Sequence, residues 1–259
     1  KDLENELGKK LFIRGNYNVR LTDEGMLLRK RAEDILDMVD KTEKEFQTLD
    51  ELDGGDIRIG CAESKSISYL ARQVKALQER CPRIRVHLYS GDREDLAERL
   101  DRGLLDFSVL VETVDLSRYG HLEFPGSDVW GAVMRRDHPL AEKESIRPAD
   151  LLGLPLICPR QGLQMELGQW FGPLVDRLDV VATVNLVYNG GVLAQEGLGC
   201  MITFRDLVHT GPDSPLCFRP LDPPLYSRLY LVWRKYQVFS PAAERFLLQM
   251  KAAGAQDQA

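Results

Sequence analysis

From Leu28 onward the apolar positions fall at Leu28, Ala32, Ile35, Val39, Thr42, Phe46 and Leu49, alternating steps of four and three residues. That is an unbroken heptad seam, flanked by Arg29, Lys30, Arg31, Glu33, Asp34, Asp37, Asp40, Lys41, Glu43, Lys44 and Glu45. A lone surface helix needs only a broader, less regular stripe, so a seam this narrow predicts a helix that meets a second helix. Docking on its own chain is the other reading. Thr42 and Ala32 weaken the seam as a dimer contact. Thr22 is placed to cap the helix start, with Asp23 and Glu24 in its first turn. Asp53-Gly54-Gly55-Asp56 predicts the helix end, a hinge and a domain boundary.

Beyond the glycines the period alternates between strand and helix. Ile57–Cys61 predicts a strand, 66–80 a helix broken by Pro82, and Ile84, Val86 and Leu88 a second strand. Leu96 and Leu100 mark a helix ended by Gly103, and 106–111 a buried strand. This order calls for a parallel sheet with right-handed crossovers. Strands at 129–134, 155–158, 180–184 and 200–202, with helices at 164–176 and 188–196, repeat the theme. A strand at 226–233 and a helix at 241–250 close the chain. The chain is expected to cross between two lobes near 124–127 and to return near 221–225, where Asp222-Pro223-Pro224 forms a stiff connector.

Composition narrows the class. The chain has 259 residues, 44% hydrophobic and 29% charged, as soluble globular proteins do. No apolar run is long enough to span a bilayer and no secretory leader is visible, which leads us to expect a cytoplasmic protein with no membrane partner. A net charge of −6 means that any nucleic-acid contact rests on a local patch. The five cysteines, Cys61, Cys81, Cys158, Cys200 and Cys217, have no CxxC spacing and suit a reducing compartment.

The patch lies near the start. Leu3–Leu7 predicts a helix end stopped by Gly8, and a hairpin follows with turn residues Gly15, Asn16 and Asn18. Lys9, Lys10, Arg14 and Arg20 fall between Leu7 and Thr22 with no acidic residue among them, which suits a phosphate backbone and equally an ordinary solvated turn. Leu-Glu-Asn-Glu-Leu-Gly-Lys-Lys-Leu-Phe-Ile-Arg, then Leu-Thr-Asp-Glu-Gly, resembles the end of the DNA-binding domain of LysR-type transcriptional regulators. Arg-Asp-His-Pro-Leu-Ala at 136–141, Gly-Leu-Gly at 197–199 and Gly-Leu-Leu-Asp-Phe at 103–107 echo the effector domain of the same family.

The resemblance covers nearly the whole chain and implies its organisation. Residues 1–21 would be the end of the recognition helix and the wing of a winged helix-turn-helix, a remnant whose base-reading residues are expected to precede Lys1. Residues 22–53 would be the linker helix, which in the family forms an antiparallel dimer coiled coil through Leu28, Ala32, Ile35, Val39, Thr42, Phe46 and Leu49. Residues 54–259 would be an α/β, two-lobed, periplasmic-binding-protein-like (type 2) effector domain, with lobe I at 56–126 and 222–253 and lobe II at 127–221. The implied protein is an oligomeric regulator, a homodimer or homotetramer, that binds double-stranded promoter DNA, answers a small-molecule effector and can contact RNA polymerase. A stand-alone solute-binding receptor of the same fold is the alternative; the basic hairpin and the heptad helix count against it.

In open α/β sheets ligands lie at the carboxyl ends of strands beside helix N-termini. Ser64, Lys65 and Ser66 follow the first strand and suit an anionic effector, although Ser64 could simply cap the helix. Glu112, following the third strand, could hold a donor group or pair with Lys65. Arg160, Gln161 and Gln164 would face them from the second lobe, with Thr203 and Phe204 completing the rim. Tyr188 and Trp170 are expected to pack. No catalytic role or cofactor is expected: His87, His121, His138 and His209 lack metal-pair spacing, and neither a phosphate loop nor a GxSxG elbow is present. One branch of the resembled family senses peroxide through a disulfide, and Cys158 and Cys200, each expected to end a strand near the cleft, would be the pair. Burial as small hydrophobes is the simpler reading of both.

Overall fold

The computed structural model describes residues 1–15, 18–48, 54–111 and 116–257. It divides into two compact units, Lys1–Glu51 and Leu52–Ala259. Asn16, Leu49, Asp53 and Glu112 lie outside the described residues.

The first unit is short and tightly bonded. Helix α1 (Asp2–Leu7) ends at Gly8, whose φ of 63° is the left-handed cap that glycine adopts without a Cβ penalty. Strands β1 (Phe12–Arg14) and β2 (Val19–Leu21) pair antiparallel as a hairpin. Glu4 ties helix to hairpin: its Oε1 accepts from the Leu11 N–H at 2.9 Å and the Phe12 N–H at 3.3 Å. These bonds, the Leu11 one foremost, hold the Glu4 carboxyl below its ordinary value. Thr22 donates to the Lys10 carbonyl at 2.7 Å and accepts from the Gly25 N–H at 3.0 Å, so one hydroxyl closes the hairpin and caps helix α2 (Asp23–Thr48). The buried position 25 takes glycine because a Cβ would stand 2.1 Å from the Leu11 carbonyl oxygen. On α2, Ile35, Val39 and Phe46 are 62%, 45% and 71% exposed, and Leu28 and Ala32 are half-buried. Thr42 spends its hydroxyl on the Met38 carbonyl at 2.8 Å.

The second unit contains two sheets. One has strand order β4-β3-β5-β13-β6, built from β3 (Gly54–Cys61), β4 (Arg83–Ser90), β5 (Phe107–Val111), β6 (Tyr119–Glu123) and β13 (Leu229–Arg234). Strands β3, β4 and β5 run parallel, and β13 pairs antiparallel with β5 and β6. Helices α3 (Ile67–Arg80) and α7 (Pro241–Asp257) pack Leu70, Leu77, Phe246 and Met250 on one face over Ile57, Ile59 and Phe107. Helix α4 (Arg93–Asp101) covers the other face with Leu96 and Leu100 against Leu110 and Val232.

The other sheet has the order β11-β7-β10-β8-β9, with β12 also on β7. Its strands are β7 (Asp128–Arg135), β8 (Pro155–Pro159), β9 (Asp179–Val184), β10 (Cys200–Phe204), β11 (Leu216–Pro220) and β12 (Tyr226–Ser227). Helices α5 (Glu166–Phe171) and α6 (Val187–Gln195) lie on it, with Leu167 and Phe171 in one core and Ala194 in the other. The chain passes between sheets twice, from β6 to β7 and again between Ser227 and Leu229.

Several expectations are corrected. Gly54 and Gly55 are not a hinge after the helix but the first residues of β3, paired with Arg83 and Ile84. Gly55 does use its freedom, at φ 123°. The return crossing lies at Arg228, beyond the proline connector, because the apolar run 226–233 serves both sheets: Tyr226 and Ser227 pair with Val129 and Asp128, and Leu229 opens β13. The helix expected over 164–176 is three pieces, since Gly172 turns to φ 53° and Pro173 cannot continue the ladder. Strands β6 and β11 were not expected. Thr203 and Phe204 belong to β10 and do not follow it.

Candidate functional site

The carboxyl ends of the strands in the two sheets face each other across a cleft, and named pairs bridge it. Ser64 and Ser66, between β3 and α3, both reach Asp128 at the start of β7. The Ser64 hydroxyl donates to Asp128 Oδ2, and Ser66 Oγ donates to Oδ1 at 3.0 Å. Ser64 Oγ also accepts from the Ser66 N–H at 2.9 Å. Asp128 is 6% exposed, and that burial pushes its carboxyl above the ordinary value, with the serine bonds pulling the other way. Lys65 forms an ion pair with Asp206. Arg160, after β8, pairs with Asp92 at 2.8 Å and Glu94 at 3.6 Å. Gln161 Oε1 accepts from the Arg93 N–H at 3.1 Å. Glu63 accepts from the Val187 N–H, so a carboxylate of one lobe caps helix α6 of the other, which has no side-chain cap of its own.

Beneath these bridges lies a cavity of about 130 Å³. Of the residues expected to form the site, Arg160, Gln161, Thr203 and Phe204 line it. Ser64, Lys65 and Ser66 do not; they hold the lobes together at its edge. Gln164 is exposed outside the lining, and Glu112 lies outside the described residues. Glu63, Asp92, Arg93, Trp130 and Val187 were missed as lining residues. The strand-end rule could have found Asp92 and Arg93, since Gly91 follows directly on β4. Trp130 gave no such signal: it points inward from mid-sheet, 4.3 Å from the Phe204 ring centroid, with its N–H on Ser227 Oγ at 2.9 Å. Trp170 packs on Phe171 at 4.8 Å and donates to the Pro223 carbonyl, whereas Tyr188 is 77% exposed and does not pack.

The cysteines are all free. Cys200 opens β10 rather than ending a strand, and it lines a separate depression of about 400 Å³ with His138, whose Nε2 is 3.8 Å from the thiol. Burial pushes the Cys158 thiol up to about 12 and the Cys200 thiol to about 11. Among the described residues no three His, Cys, Asp or Glu side chains converge as a metal set, and no helix is long and apolar enough to cross a membrane.

Two lobes of α/β build, crossed twice by the chain and closed over a lined cavity, define a ligand-binding domain of the periplasmic-binding-protein type. Residues 50–255 match the LysR substrate binding domain. The HTH-type transcriptional regulator YvbU of Bacillus subtilis is 27% identical over 252 residues, 96% of this chain and 85% of the relative. The RuBisCO operon transcriptional regulator of Acidithiobacillus ferrooxidans is 24% identical over 265 residues, 98% and 83% of the two chains. In fold, the chain is similar to full-length CbnR complexed with its target DNA, with a TM-score of 0.71, 17% identity and coverage of 97% and 87%. It is likewise similar to the effector-binding domain of QuiR in complex with shikimate, with a TM-score of 0.68, 16% identity and coverage of 78% and 98%. The chain belongs to the LysR family of transcriptional regulators and carries that family's effector-binding domain.

Proposed function

We propose that the chain changes transcription when a small molecule binds between its lobes, and that the cavity under the bridging pairs is the effector site. The observation that carries this reading is the set of bridges itself. A ligand in the cavity touches both lobes at once, so it stabilises the closed arrangement relative to an open one; without that differential affinity it would shift nothing. Lys9, Lys10, Arg14 and Arg20 are the phosphate contacts of a wing, and residues 22–53 supply the dimer seam through Leu28, Ala32, Ile35, Val39, Thr42, Phe46 and Leu49. The exposure of Ile35, Val39 and Phe46 supports that seam. The assembly is a homodimer or homotetramer in the cytoplasm, acting on promoter DNA and, through it, on RNA polymerase. It is not an enzyme. Residues 1–21, 22–53 and 54–259 serve as DNA contact, linker and effector domain respectively.

The test is a thermal-shift screen of a metabolite library against the whole chain, repeated on Ala62→Phe. Ala62 is half-buried and lines the cavity, and a phenyl ring there fills much of it. Compounds that raise Tm in the wild type should lose the effect in the variant, whose ligand-free Tm reports its folding. Retained shifts would place binding elsewhere and contradict the reading.

A further inference from the structure

We infer that the ligand of this cleft is a small uncharged molecule: a flat, largely apolar body of single-ring size carrying one hydrogen-bond acceptor. This rests on the cleft being the effector site. It replaces the anion expected from Lys65 and the two serines.

Size comes first. A cavity of about 150 Å³ takes up benzene, and this one, which opens to solvent on one side, is about 130 Å³. Leu110, Val111, Trp130, Met165, Phe204 and Leu207 give it apolar walls, with the Trp130 and Phe204 rings tilted at 58° to one another.

Charge comes second. The cations around the cleft already have partners, and Arg93, which lines it, donates to Met165 Sδ. Lys65 is paired with Asp206, and Arg160 is shared by Asp92 and Glu94. The N-terminus of α6, the natural seat for an anion in this cleft, holds the Glu63 carboxylate. A second anion would have to displace Glu63 or lie beside it, with Asp92 and Glu166 also in the lining. A cation is no better served. Glu63 is engaged by the Val187 N–H, Asp92 by Arg160 and the Asp95 N–H, and Glu166 also has a partner.

Gln161 supplies a donor inside the cavity. Gln161 has its amide orientation fixed, because Oε1 accepts from the Arg93 N–H. Its Nε2 is then buried in the cavity lining without a hydrogen-bond partner. A buried donor of that kind favours a ligand that brings an acceptor and penalises one that does not.

Benzamide and benzoate test this directly, since they share a ring and differ in charge. Each is titrated into the whole chain by calorimetry. Benzamide should bind the wild type about tenfold tighter than benzoate, and Gln161→Ala should weaken benzamide about fivefold or more. Glu63→Gln retains an oxygen to accept the Val187 N–H but removes the charge; the ratio of benzoate to benzamide affinity should rise about fivefold or more there. Benzoate binding the wild type as tightly as benzamide overturns the inference. So does a ratio that Glu63→Gln leaves untouched, or the failure of both probes to bind. In the first case, loss of benzoate binding in Ala62→Phe means that the cleft is still the effector site and only the ligand class is wrong. Probe binding that survives Ala62→Phe counts against the cleft itself.

Discussion

Removing the Asp128 carboxyl should loosen the joint between the lobes. In Asp128→Ala, the Ser64 and Ser66 hydroxyls lose their acceptor, and Ser64 is only 8% exposed. Burial outweighs the serine bonds for the ionised carboxylate, so no charge-assisted gain is counted. An ordinary hydrogen bond contributes about 0.5–1.5 kcal/mol, so the two contribute about 1–3. At about 2–4 °C per kcal/mol for a domain of this size, the middle of that range lowers Tm by about 4–8 °C. Because the folded carboxyl titrates above its ordinary value, its stabilisation is complete below the unfolded value and is lost as pH rises through the folded one. The deficit of Asp128→Ala is therefore larger near about pH 4 than near about pH 7. Urea melts of the wild type, Asp128→Ala, Ser64→Ala and the double variant form a cycle, with an expected coupling of about 0.5–1.5 kcal/mol. A single-variant effect within about 0.5 kcal/mol of wild type, or zero coupling, refutes the argument.

Other consequences are checked separately. Gly25→Ala drives a methyl into the Leu11 carbonyl and should cost about 1–3 kcal/mol, seen as faster proteolysis of the N-terminal unit; unchanged cleavage would contradict the packing. Ile35→Asp with Val39→Asp places charges on the exposed stripe of α2 and should lower the mass measured by light scattering toward that of one chain, with folding of the effector domain unaffected. Lys10→Ala should reduce the slope of log affinity for DNA against log salt by about 1, equally for all sequences, if it contacts phosphate. Cys61 and Cys158, pushed to about 12, and Cys200, pushed to about 11, should resist a thiol reagent in the native chain, while half-exposed Cys81 reacts first.

The α/β order and the heptad helix were legible because each rests on a local period: Leu70 and Leu77 on one helix face, Ile84 and Val86 on one strand. What the period could not show was partnership. The run 226–233 reads as one strand, yet it divides at Arg228 between two sheets, a matter of pairing with β7 and β5 that lies a hundred residues away. Gly54 and Gly55 carry the residue type of a hinge but the neighbours of a parallel strand. In the cleft, the strand-end rule pointed to Arg160, Gln161, Thr203 and Phe204, which line the cavity, and to Ser64, Lys65 and Ser66, which pair across it. Ser64, Lys65 and Ser66 are polar because they clasp Asp128 and Asp206, and those carboxylates come from the opposite lobe. Glu63 at the end of α6 could be found only by knowing how the lobes close.

In the proposed mechanism, effector binding in the cleft governs DNA binding. Trp130 lines the cavity and neither Trp170 nor Trp233 does, so a Trp170→Phe/Trp233→Phe variant reports from the site alone. A metabolite that alters the DNA affinity of the regulator is titrated into this variant while fluorescence is followed. Trp130 emission should change saturably, with the same midpoint as the change in DNA affinity. A metabolite that shifts DNA affinity while Trp130 stays silent, and still does so in Ala62→Phe, would contradict it.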